Sequence, residues 1–357
     1  MKKVSLKLES DSYEVHIGSG ILRSITEQLD ELGTSGKVVV ITNPVVKDLY
    51  GDNLGKNLAR GDFHVFILTV PDGEDQKSLE SAEKLYGELT QINAERLTPI
   101  IALGGGVIGD LAGFVAATYL RGVPFIQIPT TLIAQVDSSI GGKVGINYGQ
   151  LKNRIGAFYQ PKLVITDTST LKSLPEKTLV EGLAEVIKYA IIWDKDFFNF
   201  LEENLAKIKL LDEEVIEQIV FRSATIKAKV VEIDEKETGL RRILNYGHTV
   251  GHAVETVSDF HIQHGAAVAI GMVAAGRIAN KLGAIDDSDL ARMKNLIERA
   301  GLPTEISNVR IDEIMQAMAH DKKVQKEKIT FILPKAIGEV FTTDEVTPSL
   351  INQVLVG

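Results

Sequence analysis

Apolar and polar residues alternate near the start of the chain, on either side of a short polar segment. The alternation runs over residues 4–8 and returns over residues 13–17. A period of two places every second side chain on one face of an extended strand. Because the polar residues 9–12 separate the two runs, the pattern predicts an opening β-hairpin.

Beyond this hairpin, short apolar runs rich in β-branched residues alternate with segments of helical period. Runs of this kind are typical of strands buried on both faces, as in a parallel sheet. Strands that alternate with helices predict an α/β domain with a mostly parallel sheet covered on both faces. The predicted strands are residues 38–42, 65–69, 99–103, 125–128 and 163–166.

The pattern changes after residue 174, where long stretches with the 3.6-residue period of an amphipathic helix take over. A chain of this length favours two domains over one. We therefore predict an α/β domain over residues 1–174 and an all-α domain over residues 175–357, with a small hairpin at 328–333 and 338–341. The predicted helices are 176–193, 196–209, 212–233, 247–258, 265–282, 287–300 and 311–319.

The charge and the residue types exclude several classes of function. A formal net charge of −9 disfavours nucleic acid or an anionic bilayer as partner, since both need a basic surface. The longest apolar run, residues 266–276, is too short to cross a bilayer, and residues 4–9 lack the apolar core of a signal peptide. The absence of cysteine leaves only His, Asp and Glu side chains as metal ligands and fits a cytoplasmic protein.

A glycine-rich turn lies between a predicted strand and a predicted helix. Gly104, Gly106 and Gly109 have the spacing G-x-G-x-x-G, in which backbone amides and the helix dipole can hold a phosphate. The turn does not follow the first strand, and no acidic residue ends a strand about twenty positions later, so a standard Rossmann half is not indicated. The alternative is that these glycines only permit close packing. Hydroxyl, glycine and lysine residues at 129–131 and 137–143 favour anion binding.

Four of the seven histidines, His248, His252, His261 and His264, fall within residues 248–264. The spacing of His248 and His252 places both rings on one face of a helix and by itself suggests two ligands. His264 precedes a long apolar helix, and Glu185 lies in another apolar helical segment. One carboxylate, two imidazoles and an open position form a known catalytic zinc arrangement, whereas the glutamate of the zinc peptidase motif is missing. The alternative is that some of these histidines are core residues bound to backbone carbonyls.

An anionic substrate would need local cations in this acidic chain. Lys188 lies one helical turn after Glu185, and Lys227 and Arg241 flank the histidine segment. Lys152 and Asn153 are predicted to lie in a polar loop. The complete set of cationic candidates is Arg121, Lys143, Lys188, Lys227, Arg241 and Lys322.

These motifs together resemble the 3-dehydroquinate synthases, which are members of the sugar phosphate cyclases. The resemblance extends from about residue 38 to residue 333 and rests on the combination of LGGGVIGDLAGF, IPTTL, QVDSSIGGK, GLAEVIKY and NYGHTVGH. It implies NAD, a divalent metal (zinc, with cobalt as the alternative) and a cytoplasmic homodimer. The implied reaction belongs to the shikimate pathway of chorismate and aromatic amino-acid biosynthesis. It converts 3-deoxy-D-arabino-heptulosonate 7-phosphate to 3-dehydroquinate and phosphate, through transient oxidation by NAD, phosphate elimination, re-reduction and an intramolecular aldol closure.

The same resemblance implies roles for individual positions. The metal ligands fall on Glu185, His248 and His264, so His252 becomes a substrate contact. Arg121 is implied to reach the phosphate site of a neighbouring subunit. The other implied substrate residues are Asp137, Lys143, Asn153, Lys188, Lys227, Arg241, Asn245 and Lys322. The implied NAD residues are Asn43, Glu74, Lys77, Gly105, Gly106, Asp110, Thr130, Thr131, Lys152 and Ser173, the last standing where threonine is common.

Two departures from the family pattern keep other functions open. Ala266 stands where the family has a glutamate beside the metal ligand, and residues 144–150 differ from the usual version. One alternative is another sugar phosphate cyclase such as 2-deoxy-scyllo-inosose synthase. A second is a polyol dehydrogenase resembling glycerol dehydrogenase, and a third is a non-catalytic nucleotide-binding regulator.

Overall fold

The computed structural model describes residues 1–9, 11–149, 151–258, 261–306, 309–325 and 329–356, with the backbone alone over 319–325. The chain forms two compact units. Unit 1 contains Met1–Leu174 and Ile216–Lys236, and unit 2 contains Pro175–Val215 and Glu237–Gly357.

Unit 1 is built on a seven-stranded sheet of order β1-β2-β9-β6-β5-β3-β4. The opening hairpin pairs β1 with β2 in antiparallel register, and the other neighbouring strands pair in parallel. This arrangement confirms the predicted hairpin and the mostly parallel sheet. The strands are β1 (Lys2–Leu6), β2 (Tyr13–Gly18), β3 (Lys37–Thr42), β4 (His64–Thr69), β5 (Ile100–Gly104), β6 (Phe125–Pro129), β7 (Lys143–Tyr148), β8 (Leu151–Phe158) and β9 (Leu163–Asp167).

Helices cover both faces of the sheet because its central strands are apolar on both sides. In β3, Val39 and Ile41 belong to one core cluster, whereas Val38 and Val40 belong to the other. Successive side chains of a strand point to opposite faces, so the all-apolar run supplies both clusters. The helices of this part of the chain are α1 (Ile25–Glu31), α2 (Pro44–Val46), α3 (Asp52–Arg60), α4 (Leu79–Gln91) and α5 (Gly106–Thr118).

The hairpin of β7 and β8 corrects the sequence analysis, which assigned Lys152 and Asn153 to a loop. Both residues lie on strand β8, which pairs antiparallel with β7. Val144 and Ile146 of β7 are buried in the core of unit 1. Strand β8 is exposed along most of its length, so it lacks the alternation of apolar and polar residues that signals a half-buried strand.

Unit 2 is mostly helical, as predicted. Its hairpin pairs β10 (Phe331–Ala336) with β11 (Glu339–Thr343). The sequence analysis missed the last helix, although the buried residues Ile351, Val354 and Leu355 have helical spacing. The helices of the second half of the chain are α6 (Glu176–Trp193), α7 (Lys195–Lys209), α8 (Glu213–Ile233), α9 (His248–Val257), α10 (His264–Lys281), α11 (Asp287–Ala300), α12 (Ile311–Gln325) and α13 (Pro348–Val356).

The observed division differs from the predicted domains in one segment. The first boundary follows Leu174, as expected, but residues 216–236, with most of α8, pack with unit 1. Glu217 accepts a hydrogen bond from the amide of Ser19 at 3.1 Å, and Glu232 accepts one from the amide of Lys7 at 2.6 Å. Helical periodicity reveals an amphipathic helix but not the body against which it packs.

A search for membrane-spanning helices over the described residues finds none of sufficient length and apolar character.

Candidate active site

Three side chains of unit 2 converge as the sequence predicted. Glu185 lies on α6, His248 is the first residue of α9 and His264 is the first residue of α10. One Glu185 oxygen, Oε1, lies 3.7 Å from Nε2 of His248 and 3.8 Å from Nε2 of His264. One donor atom from each residue lies within 4.8 Å of the other two. Donors around a tetrahedral zinc ion at about 2.1 Å are separated by about 3.4 Å, so these three residues fit such an ion after small movements.

The carboxylate of Glu185 has the surroundings of a metal ligand. Its side chain is 0% exposed, and Oε1 accepts no hydrogen bond within the described part of the chain, whereas Oε2 is paired with Lys188. Its ion pair with the ammonium of Lys188, one turn along α6, supplies a positive charge. A buried carboxylate needs such compensation because burial strongly favours its neutral form. The site therefore has unused acceptor capacity for a cation.

The surroundings of His248 favour the neutral form of its ring, which can donate an electron pair to a metal ion. Its Nδ1 lies 3.1 Å from the carbonyl oxygen of Tyr246, which leaves Nε2 facing Glu185. Burial lowers the pKa of His248 well below its usual value, and the charge of Lys188 lowers it further. A neutral ring is the form that binds a metal ion.

His264 has the opposite electrostatic balance. Burial would lower its pKa, but the hydrogen bond to Glu255 and the charges of Glu185 and Glu255 together raise it. Its Nδ1 lies 3.4 Å from Oε2 of Glu255. A metal ion at this ring must therefore displace a proton that the two carboxylates favour.

Glu185, His248 and His264 are called the triad below. His252 lies near the triad and belongs to a second group of possible metal ligands. It forms a cluster with Glu255 and His264, and its ring centroid lies 5.1 Å from that of His248. The helical spacing of His248 and His252 thus places the rings side by side but in different groups of donors.

Helices α9 and α10 approach closely through glycines, and this approach brings His248 and His264 together. An added Cβ at Gly251 would lie 2.9 Å from the carbonyl oxygen of Ala267. An added Cβ at Gly271 would overlap the carbonyl oxygen of Gly247. Because these obstacles are backbone atoms, rotation of a side chain cannot relieve them.

Gly271→Ala is expected to separate α9 from α10. Overpacking typically costs about 1–3 kcal/mol of unfolding free energy, and the contact with backbone puts this site at the upper end. Urea unfolding of the purified variant measures the loss, and titration with Co²⁺ reports weaker metal binding. Gly87→Ala on α4 is the matched control, since its Cβ would meet nothing within 4 Å. Replacement of an exposed helical glycine by alanine raises the free energy of unfolding by about 0.5–1 kcal/mol. Equal stabilities of the two variants would contradict the close-packing argument.

A second cluster lies in unit 1 around the buried ammonium of Lys77. Its Nζ lies 2.7 Å from Asp110 Oδ2 and 3.6 Å from Glu74 Oε1, and it also donates to Oδ1 of Asn153. Asn147 donates to Oε1 of Glu74 at 3.0 Å. Burial raises the pKa of Asp110 even though Lys77 opposes the shift. The structure thus brings together residues to which the resemblance assigns different ligands. It assigns Glu74, Lys77 and Asp110 to NAD and Asn153 to the substrate.

The structure of the glycine turn bears on two alternatives from the sequence, which are anion binding by backbone amides and close packing at the glycines. Gly105 precedes α5 and Gly106 begins it, and within the described residues no side chain caps this helix. An added Cβ at Gly106 would lie 3.2 Å from Oγ of Ser138, and one at Gly109 would lie 2.8 Å from Oε1 of Gln127. The atom that faces Gly109 is the end of a flexible side chain, so close packing is only a partial reason for this glycine. The uncapped amides at the helix N-terminus suit an anion.

Other predicted cofactor residues occupy turns at strand ends. Asn43 caps α2 by accepting a hydrogen bond from the amide of Val46 at 2.8 Å. The hydroxyl of Ser173 lies 2.6 Å from that of Tyr50. The amide of Thr130 donates to the carbonyl oxygen of Gly104, while the adjacent Thr131 is half-buried.

The remaining predicted substrate residues are distributed over both units. Lys227 donates to Oδ1 of Asp137 at 2.5 Å in unit 1, and Asn245 donates to Oε1 of Glu237 at 2.9 Å in unit 2. Arg241 is only 1% exposed. Arg121 has a left-handed φ of 65°. The side chains of Arg121, Lys143 and Lys152 are exposed. The side chain of Lys322 lies outside the described residues.

The acidic partners of these groups were not predicted from the sequence. Glu255 follows His252 by three residues, so helical spacing could have revealed it. Glu181 accepts a hydrogen bond from the amide of Ala266 at 3.0 Å, and burial raises its pKa. Glu237 pairs with Asn245 across a loop, for which the sequence carries no periodic signal.

Family models and curated relatives match this chain over most of its length. The family model of the 3-dehydroquinate synthase N-terminal region matches residues 67–181, and that of the C-terminal region matches residues 182–324. A 3-dehydroquinate synthase from Desulforamulus reducens is 47% identical over 357 residues, covering 99% of each chain.

Two solved structures share the fold across nearly the whole chain. The 2-epi-5-epi-valiolone synthase of Streptomyces hygroscopicus subsp. jinggangensis, with NAD⁺ and Zn²⁺ bound, has a TM-score of 0.90 at 27% identity and covers 98% of this chain and 97% of its own. A 2-deoxy-scyllo-inosose synthase with carbaglucose-6-phosphate, NAD⁺ and Co²⁺ has a TM-score of 0.90 at 26% identity and covers 99% of both chains. With both family models matched and a curated relative at 47% identity, the chain belongs to the 3-dehydroquinate synthase family.

Proposed function

We propose that this protein is an NAD- and metal-dependent lyase of the shikimate pathway. Its substrate is 3-deoxy-D-arabino-heptulosonate 7-phosphate and its products are 3-dehydroquinate and inorganic phosphate. The observation that carries the proposal is the convergence of Glu185, His248 and His264 in a chain that is 47% identical to a 3-dehydroquinate synthase.

In unit 2, the three converging side chains would hold a divalent cation, with zinc preferred and cobalt as the alternative. Such an ion supplies Lewis acidity at a substrate oxygen. The neutral ring of His248 and the buried carboxylate of Glu185 are suited to hold the ion. His252 and Asn245 are proposed to orient the hydroxyl groups of the substrate, and Lys188 and Arg241 are proposed to balance its negative charges.

In unit 1, the N-terminus of α5 is proposed to bind the pyrophosphate of NAD through the amides of Gly105 and Gly106. Bound NAD supplies a hydride acceptor that is regenerated in each turnover. Asp110 and Lys77 form an ion pair that is already assembled and would position the cofactor. Asn43, Glu74, Thr130, Thr131, Lys152 and Ser173 complete the proposed cofactor set.

The proposed substrate contacts of unit 1 are Asp137, Lys143, Asn153 and Lys227. Lys143 and Asn153 would hold the phosphate group as it leaves. Lys227 already donates two hydrogen bonds to Asp137, through the main-chain oxygen at 2.7 Å and the carboxylate at 2.5 Å. This double anchor restricts both side chains and would present them to substrate in one geometry. In the helical half of the chain, Lys322 is proposed as a further phosphate contact.

We also propose that the protein is a cytoplasmic homodimer in which Arg121 reaches the phosphate site of the neighbouring subunit. The left-handed backbone of Arg121 and of the preceding Leu120 supports a specialised role for this turn. Light scattering coupled to gel filtration should give twice the chain mass, and a mass of one chain would contradict the proposed dimer.

The reaction itself provides a direct test. Purified protein should release phosphate from the heptulosonate phosphate, and omission of NAD or addition of a chelator should abolish the release. Absorbance at 340 nm should show no net change, because the cofactor is regenerated within each turnover.

The same assay distinguishes the alternatives. Steady accumulation of NADH would favour a polyol dehydrogenase. Phosphate release from a hexose 6-phosphate but not from the heptulosonate phosphate would favour 2-deoxy-scyllo-inosose synthesis. Binding of NAD without turnover of either substrate would favour a regulator.

A further inference from the structure

We infer that Glu255 is a positioning residue of the metal centre, which fixes His264 in the tautomer that presents Nε2 toward Glu185. This inference rests on the proposed function, because it assumes that Glu185, His248 and His264 bind a metal ion. It deepens that function by adding a side chain that touches neither the ion nor the substrate.

His248 and His264 share one arrangement of their ring nitrogens. In each ring, Nε2 faces Oε1 of Glu185, at 3.7 Å for His248 and 3.8 Å for His264. In each ring, Nδ1 faces a protein acceptor, which is the Tyr246 carbonyl for His248 and the Glu255 carboxylate for His264. An acceptor at Nδ1 keeps the proton on that nitrogen and leaves the lone pair on Nε2 for a metal ion.

The two acceptors differ in one respect that makes the inference testable. A backbone carbonyl cannot be removed by mutation, whereas the carboxylate of Glu255 can. Glu255 is 6% exposed and belongs to α9, the helix that also carries His248. It lies seven residues after His248, so both side chains project from the same face of the helix. One rigid helix thus supplies a metal ligand and the partner that orients the next ligand.

This arrangement also bears on Ala266, where the family has a glutamate. Without an acidic side chain at position 266, Glu255 supplies a carboxylate on the Nδ1 side of His264. Glu181 approaches from another direction and accepts a hydrogen bond from the amide of Ala266 rather than from the ring. Position 266 is therefore not the source of the acidic partner of His264.

The strongest competing interpretation is that Glu255 is itself a metal ligand. His252, Glu255 and His264 also bring donor atoms within 4.8 Å of one another. In that case His264 would bridge two ions, one at each ring nitrogen. The two interpretations predict different stoichiometries: one ion per chain if Glu255 orients the ring, and two if it is a ligand.

Three variants of the full-length protein test the inference. Glu255→Met keeps an unbranched side chain of similar length but removes the acceptor, Glu255→Gln keeps an acceptor oxygen, and Glu181→Gln is a control at a nearby carboxylate that accepts a hydrogen bond from the amide of Ala266. Each metal-free protein is titrated with Co²⁺ against a competing chelator, and its thermal midpoint is measured without metal. Loss of an orienting partner typically weakens metal binding by about 10–100-fold. We expect that loss in Glu255→Met, a smaller one in Glu255→Gln and the smallest in Glu181→Gln.

Nitrogen-15 spectra of histidine in the metal-free wild type provide a second measurement, taken at a pH where the rings are neutral. We expect His264 to be protonated at Nδ1. A ring protonated only at Nε2 would overturn the inference, and it would do so even if Glu255→Met did not fold.

The outcomes separate this inference from the proposed function. A wild-type protein that binds no Co²⁺ would refute the metal-dependent function. A wild-type protein that binds one Co²⁺, with unchanged affinity in Glu255→Met, would refute the positioning role and leave the function intact. Binding of two ions by the wild type and of one by Glu255→Met would instead make Glu255 a ligand.

Discussion

His264→Ala should lose bound metal and catalytic activity together. The change removes one of three donors, and the remaining carboxylate and imidazole offer too few ligands for a stable catalytic site. Metal-assisted polarisation is worth several kcal/mol of transition-state stabilisation, so the rate of phosphate release should fall about 10³-fold or more. Elemental analysis of the purified variant and the phosphate-release assay measure the two effects independently.

His261→Ala is the matched control for this experiment. His261 lies three residues before His264, its side chain is exposed, and it belongs to neither group of possible ligands within the described residues. The control should keep its metal and its rate. If His264→Ala retained activity after removal of metal, the ligand assignment would be refuted.

Lys188→Met should produce the largest loss of stability in the metal-free protein. Lys188 and Glu185 form an ion pair in which the two side chains are 2% and 0% exposed. Removal of one partner from a buried pair leaves an uncompensated charge and costs about 3–5 kcal/mol. Urea unfolding of chelator-treated protein measures this loss. A divalent ion should restore more stability to the variant than to the wild type, because it replaces the positive charge that Lys188 supplies to Glu185.

Two further variants make this prediction specific. Lys177→Met removes an exposed lysine from the same helix and should change stability by less than about 0.5 kcal/mol. The double variant Glu185→Gln, Lys188→Met removes both charges and should recover much of the loss, since a neutral pair leaves no buried charge. A double variant as unstable as Lys188→Met would show that packing, rather than charge, explains the effect.

The ion pair also explains how the metal-free site tolerates a buried carboxylate. Before an ion binds, Lys188 supplies the positive charge beside Glu185. A divalent ion bound by Glu185, His248 and His264 would take over this role and would leave the ammonium available to an anionic substrate. This exchange is consistent with the proposed assignment of Lys188 to the substrate.

The sequence by itself determined most of the secondary-structure elements and predicted the residues of the candidate metal site. The apolar run of β3 required a strand buried on both faces, and the 3.6-residue period of the second half required helices, because periodicity is a local property of the chain. The ligand set Glu185, His248 and His264 was predicted through the resemblance to a known family, because helical spacing alone also suggested His252. The absence of cysteine restricted the possible ligands to histidine, aspartate and glutamate side chains.

Only the tertiary structure decided which groups meet across distant segments. It placed α8 with unit 1, formed the exposed strand β8 and joined Lys77 to Asp110 and Asn153. It also brought Glu255 to Nδ1 of His264, through the close approach of α9 and α10 at their glycines. The physical reason is that such contacts depend on how closely whole elements pack, and packing distance is set by many side chains together rather than by any local pattern.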